Sequence, residues 1–167
     1  MNLDEFLKIK DKYIQEAIEF AEECPMGKIE LKADIKYIEK LDKLVEIIRG
    51  LYQKQMLSDD IAWNTSVDMG VLLGEMIIKK HNYKWIINTE DIPVLETPEK
   101  NQLLPITKIY KIIKSEENDE GSPSSFYSSF LALENFDKMS DEEKKKLTTY
   151  YHDGKFIPAT EWNEEEE

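Results

Sequence analysis

The chain is short of the residues that usually announce chemistry. Cys24 is its single cysteine among 167 residues, so no disulfide can close within it, and a lone thiol suits a reducing compartment. His81 and His152 are its two histidines. Neither has a His, Cys or Asp partner at ligand spacing, which excludes the common structural metal patterns. The six glycines, Gly27, Gly50, Gly70, Gly74, Gly121 and Gly154, are too scattered for a loop that cradles phosphate. No apolar run reaches about 18 residues, so no membrane-spanning helix is expected. The opening MNLDEFLKIK is charged and lacks the apolar centre of a signal peptide, and the expectation is a soluble cytoplasmic protein without a cofactor.

What the chain has in excess is negative charge. The net charge is −13, with 20 acids against 17 Lys or Arg over residues 1–114 and 15 against 5 over residues 115–167. The acidity therefore belongs to the C-terminal third. Such a field repels nucleic acid and anionic lipid and attracts a basic partner. The closing Glu164 to Glu167 reads as a solvated end, giving an expected single domain over residues 1–160 and an acidic tail over 161–167. A length of 167 residues buries roughly two-thirds of the unfolded surface, enough for a core without staples.

Helical patterns come first along the chain. Asn2 and Glu5 have the spacing of a capping box, and Leu3, Phe6, Leu7, Tyr13, Ile14, Ala17, Ile18 and Ala21 recur at helical intervals as far as Glu23. Pro25 and Gly27 break that helix. A second starts around Asp34, with Ile38, Leu41, Val45, Ile48 and Tyr52 on one stripe and charges opposite. Ser58, Asp59 and Asp60 cap a third, running from Ile61 to His81, whose apolar residues face nearly every direction. That pattern marks a central buried helix. Gly70 and Gly74 on one of its faces imply a close backbone neighbour, expected to be the first or second helix.

After the central helix, Tyr83, Trp85 and Ile87 alternate as a strand, turn residues follow from Asn88 to Asp91, and Ile92 to Leu95 returns. Pro93 argues that the returning strand lies at an edge. Pro105 opens a helix carrying Ile106, Ile109, Tyr110 and Ile113. A polar loop, a helix from Pro123, a capped helix at Ser140 with Glu143, and an extended strap from Phe156 to Trp162 complete the reading. The fold class is thus α+β: mostly helical, with a central buried helix and a small antiparallel β-hairpin or sheet.

The stretch from Leu72 to Pro105 carries the helix pattern LLGEMI, Trp85 on a strand, a second strand and a proline-started helix. On Leu73-Gly74-Glu75, Trp85 and Pro105 it resembles the small bacterial domains of unknown function called DUF3806. The resemblance implies an α+β shape and a bacterial source, and it brings no catalytic residue.

Candidate chemistry is sparse. Glu75 within an apolar run could act as an acid or base, but Asn64, Asp68, Glu75 and Lys79 share one helical stripe, so Glu75 is expected to face water or pair with Lys79. Ser122, Ser124, Ser125, Ser128 and Ser129 lack a strand-to-helix elbow and read as caps and turns. Binding is left as the leading reading: a non-catalytic protein-interaction module, of the immunity or antitoxin-like inhibitor type, covering a basic protein. Tyr150, Tyr151 and Trp162, aromatics among acids, are its candidate anchors. Two alternatives stand beside it: an enzyme with a site near Glu75 and His81, and a homo-oligomeric structural protein joined through the second helix. The expected state is a monomer or homodimer, with no nucleic-acid or membrane partner.

Overall fold

The structure is a computed structural model that describes residues 2–24, 30–117, 119–152 and 155–158, with residues 149–152 and 155–158 described by their backbone. The helix break at Pro25 and Gly27, Trp162, and the tail over 161–167 lie outside the described residues. In chain order the described elements are α1 (Leu3–Glu23), a single 3-10 turn (Ile35–Tyr37), α2 (Ile38–Gln53), α3 (Asp59–Ile78), β1 (Lys84–Ile87), β2 (Pro93–Glu96) and β3 (Gln102–Leu103). They continue with α4 (Pro105–Lys114), α5 (Pro123–Lys138), α6 (Asp141–Leu147), β4 (Thr149–His152) and β5 (Lys155–Pro158). The protein is α+β and mostly helical. Among the described residues no helix is long and apolar enough to cross a membrane.

Contacts divide the chain into two compact units, one running to Tyr127 and one starting at Ser128. In the first, the helix starts follow their caps. Asn2 and Glu5 form a reciprocal box at α1, Ser58 Oγ accepts from the Ile61 amide at α3, and Pro105 occupies the first turn of α4. The helix α3 is the centre, packed by α1, α2 and α4. Met69, Val71, Leu72, Leu73, Met76 and Ile77 are all fully buried along it, as its all-round apolar sequence requires. The apolar stripe of α2 is spent in the same core: Leu41, Leu44 and Ile48 have no exposed surface, and α2 packs on α3 and α4. That stripe is not available as the subunit face expected from the sequence.

The glycines of α3 meet different neighbours from those expected. A side chain at Gly70 would put its Cβ 2.5 Å from Ile106 Cα, so it is the first turn of α4 that lies against the helix there. One at Gly74 would collide with the six-membered ring of Trp85 in β1. Neither contact is with α1 or α2, because the α4 start and the β1 indole occupy the closest approaches.

The first sheet has three strands in the order β1-β2-β3, all antiparallel. This places Pro93 in the central strand, against the expectation of an edge. The register explains it. Pro93 pairs with Ile87, while β3 covers only Leu95 and Glu96, so the residue without an amide proton sits at the strand's first position, beyond the reach of β3. In the second unit, Ser140 and Glu143 form the box that opens α6, and β4 pairs antiparallel with β5. The extended strap read from Phe156 is in its described part the strand β5.

Candidate functional site

Glu75 does not face water. Only 9% of the residue is exposed. Its Oε1 accepts the Trp85 indole N–H at 2.8 Å, and its Oε2 lies 3.3 Å from Lys10 Nζ on α1. Lys79 is exposed and plays no part in this pair. The stripe reading failed because α1 and the Trp85 ring cover that face of α3, and a buried indole N–H needs an acceptor. Desolvation pulls the Lys10 pKa down, but the neighbouring Glu75 and Asp11 carboxylates outweigh it and hold it above the ordinary lysine value. Phe6 meets Trp85 edge-on at 5.1 Å. This junction joins α1, α3 and β1.

His81 stands apart from Glu75 in its bonding. Its Nε2 is 2.9 Å from the Tyr127 hydroxyl, and its ring stacks on Tyr83 at 5.1 Å. Tyr150 and Tyr151 fall on the backbone of β4, paired with Ile157 and Phe156. None of these positions lines either of the two cavities described next.

The first cavity, of about 380 Å³, lies in the first unit and is lined by Tyr13, Glu16, Trp63, Asn64, Val67, Asp68, Asp91, Ile92, Pro93 and Ile106. Helical spacing builds two of its walls. Tyr13 and Glu16 are three apart on α1, and Trp63, Val67 and Asp68 fall on adjoining rows of α3. The β1-β2 turn supplies the rim: Asn88 Oδ1 accepts from the amides of Glu90 at 3.0 Å and Ile92 at 2.9 Å. That places Asp91 in the left-handed region, at φ 58°, where aspartate is tolerated better than most residues. Trp63 is held from behind by Tyr110 of α4, edge-on at 5.2 Å.

Asp68 is the electrostatic centre of this cavity. Burial first, and then the charge of Glu16, raise its pKa to about 7, against an opposing pull from the Lys12 charge. Both carboxyls line the same cavity. Lys12 Nζ is 3.4 Å from Glu16, but its side chain is 73% exposed, so it screens the pair only from the solvent side. Among the described residues no three His, Cys, Asp or Glu side chains converge as metal ligands. Two carboxyls beside aromatic and aliphatic walls instead suit an organic cation, with its charge on Asp68 and Glu16 and its apolar part along Trp63, Val67 and Ile92.

Sequence reasoning passed over this site. It counted Asp68 as a solvated position, and the available signal was faint: Tyr13 with Glu16, and Trp63 with Val67 and Asp68, each put an aromatic and an acid on one helical face. Which faces meet is decided by packing and cannot be read from spacing.

The second cavity, of about 650 Å³, is lined by Asp42, Lys43, Glu46, Ile47, Gly121, Ser122 and Ser125. Several of its polar groups are engaged in hydrogen bonds at the start of α5. The Asp42 carboxylate accepts from the Ser124 amide at 2.8 Å and from the Ser124 hydroxyl, and the Ser122 amide donates to Ser125 Oγ at 2.7 Å. Asp42 thus serves the unpaired amides at the start of α5, a capping role supplied from another helix. No family model matches the chain, and no curated protein or solved structure matches it.

Proposed function

We propose that the protein is a non-catalytic interaction module that binds a basic protein, as an immunity-type or antitoxin-like inhibitor does, and that it admits a lysine or arginine side chain into the cavity at Asp68. One observation carries this reading: two carboxyls, Asp68 and Glu16, line one cavity together with Trp63 and Tyr13. An inserted cation satisfies both carboxyls while its methylene stem lies on the aromatic wall. The net charge of −13 adds long-range attraction, which raises the rate of encounter with a basic surface. This reading moves the anchor from Tyr150, Tyr151 and Trp162 to the first unit. A cytoplasmic setting goes with it, consistent with a free and buried Cys24, and so does the bacterial source that the DUF3806 resemblance implies.

Titration calorimetry with a lysine-rich and an arginine-rich peptide of equal length tests it. Binding is expected to weaken with salt, and at least about tenfold in the Asp68→Asn, Glu16→Gln double variant, in line with the loss of a desolvated charge contact. Peptide binding that ignores the double variant, or no binding at low salt, overturns the reading.

A further inference from the structure

We propose that the outer edge of β1 pairs antiparallel with the same edge of a second copy of this chain, joining two three-stranded sheets into one. The inference concerns a different part of the fold from the cavity at Asp68 and stands whether or not the interaction reading does.

The argument starts from where the backbone groups of β1 point. In an antiparallel ladder, residues that exchange hydrogen bonds with the neighbouring strand alternate with residues that do not. The Asn88 amide donates to the Ile92 carbonyl at 3.0 Å, which fixes the phase: in steps of two, Ile86 and Lys84 turn their backbone groups toward Val94 and Glu96 of β2. Trp85 and Ile87 turn theirs the other way. The far side of β2 agrees, because the Thr97 amide donates to the Asn101 carbonyl at 2.9 Å, so that Leu95 bonds toward β3 while Val94 and Glu96 bond toward β1. Among the described residues β2 is the one strand beside β1. The amides and carbonyls of Trp85 and Ile87 therefore form an open row.

Charge selects the occupant. The end of α3, just before β1, carries Lys79 and Lys80, and the turn after β1 carries Glu90 and Asp91, all four exposed. Lys84 at the start of the strand has Glu96 as a partner at 3.1 Å, whereas none of those four enters an ion pair among the described residues. A strand that is basic at one end and acidic at the other repels a parallel copy of itself and attracts an antiparallel one. A two-fold axis through Ile86 serves the whole row. Trp85 of each copy then faces Ile87 of the other, each such pair exchanges two hydrogen bonds, and the two pairs give four in all. Ile86 meets its own counterpart at the intervening position, where opposed side chains lie closest and β-branched residues pack well. The same axis brings the lysine end of each strand to the acidic turn of the other copy.

Light scattering of the whole chain from about 10 µM to about 1 mM should show the monomer giving way to a dimer, by mass action across a short interface. Amide exchange followed by NMR reads the geometry. The Trp85 and Ile87 amides should slow several-fold at the high concentration, while the Ile86 amide, already bonded to β2, should hardly change. Two double variants at exposed positions test the charge argument: Lys79→Glu with Lys80→Glu, and Thr89→Lys with Glu90→Lys. Each places like charges at both junctions and should dimerise several-fold more weakly alone. An equal mixture of the two should recover the dimer, because one chain is then acidic at both ends and the other basic. If either variant does not fold by circular dichroism, the exchange measurement on the parent chain decides. A monomer throughout, exchange at Trp85 and Ile87 that ignores concentration, or a mixture no tighter than its parts overturns the inference. So does slowing of these two amides by a lysine-rich peptide but not by concentration, which would give the edge to a foreign strand.

Discussion

The indole N–H of Trp85 donates to Glu75 Oε1 at 2.8 Å from a ring that rests on Gly74. A carboxylate and a glycine adjacent in α3 thus serve one side chain of β1, the first by accepting its proton and the second by leaving it room. The same carboxylate reaches Lys10 of α1, so three elements depend on it.

Removing that carboxylate should cost more than weakening it. Glu75→Leu leaves the Trp85 N–H and Lys10 without their acceptor in a mostly buried place, and about 2–4 kcal/mol of stability should go. Glu75→Gln keeps an oxygen for the indole and loses only the charge, for about 1–2 kcal/mol. Urea unfolding of the two variants gives the comparison, and equal losses would mean that the indole bond contributes nothing.

Gly74→Ala should destabilise by about 2–3 kcal/mol, because the new methyl forces the Trp85 ring from a packed position. The effect should shrink when Trp85→Leu is made in the same chain. A double-mutant cycle is the measurement, with a coupling of about 1–2 kcal/mol expected. Additive losses would show that something other than the ring meets the methyl.

Asp68 makes stability depend on pH in an unusual direction for a carboxyl. Its pKa in the folded chain is about 7, against an ordinary 3.8, so the folded state holds the proton more tightly than the unfolded chain. The stability this contributes is fully present below about pH 4 and is lost as pH rises through 7. Asp68→Asn should therefore stabilise the protein at pH 8 by about 1–2 kcal/mol, a figure discounted for the group's partial exposure, and change little at pH 4. Urea midpoints at pH 4, 6 and 8 test the sign. A variant less stable than the parent at pH 8 would contradict it.

Asp42 should act on α5 from a distance in sequence. In Asp42→Ala the Ser124 amide and hydroxyl lose their acceptor, which should cost about 1 kcal/mol. Hydrogen exchange should speed up at the Ser124 amide and hardly at all in the middle of α3. Uniform acceleration would point to general loosening instead.

The sequence was legible where a few neighbouring residues decide the outcome. The boxes at Asn2 with Glu5 and Ser140 with Glu143 form as read, because both partners lie within one turn. The enclosed α3 was legible from its lack of a polar face. Reading failed where a third element intervenes. Pro93 lies in a central strand because β3, only two residues long, covers just the far end of β2. Glu75 is buried because α1 folds over it, and Gly70 and Gly74 meet Ile106 and Trp85 through contacts that no periodicity encodes. The cavity at Asp68 was hidden for the same reason: α1, α3 and the β1-β2 turn each supply an unremarkable pair of residues.

The fit of the Trp85 ring on Gly74 also sets how this chain can drift. A side chain at 74 is tolerated only after bulk at 85 has gone, and loss of the indole in turn frees Glu75 from having a proton to accept. Positions 74, 75 and 85 should thus change as a set. Remote kin are better sought by paired substitution at these three sites than by overall likeness, since a lineage that lost the tryptophan would carry the evidence in its helix rather than in its strand.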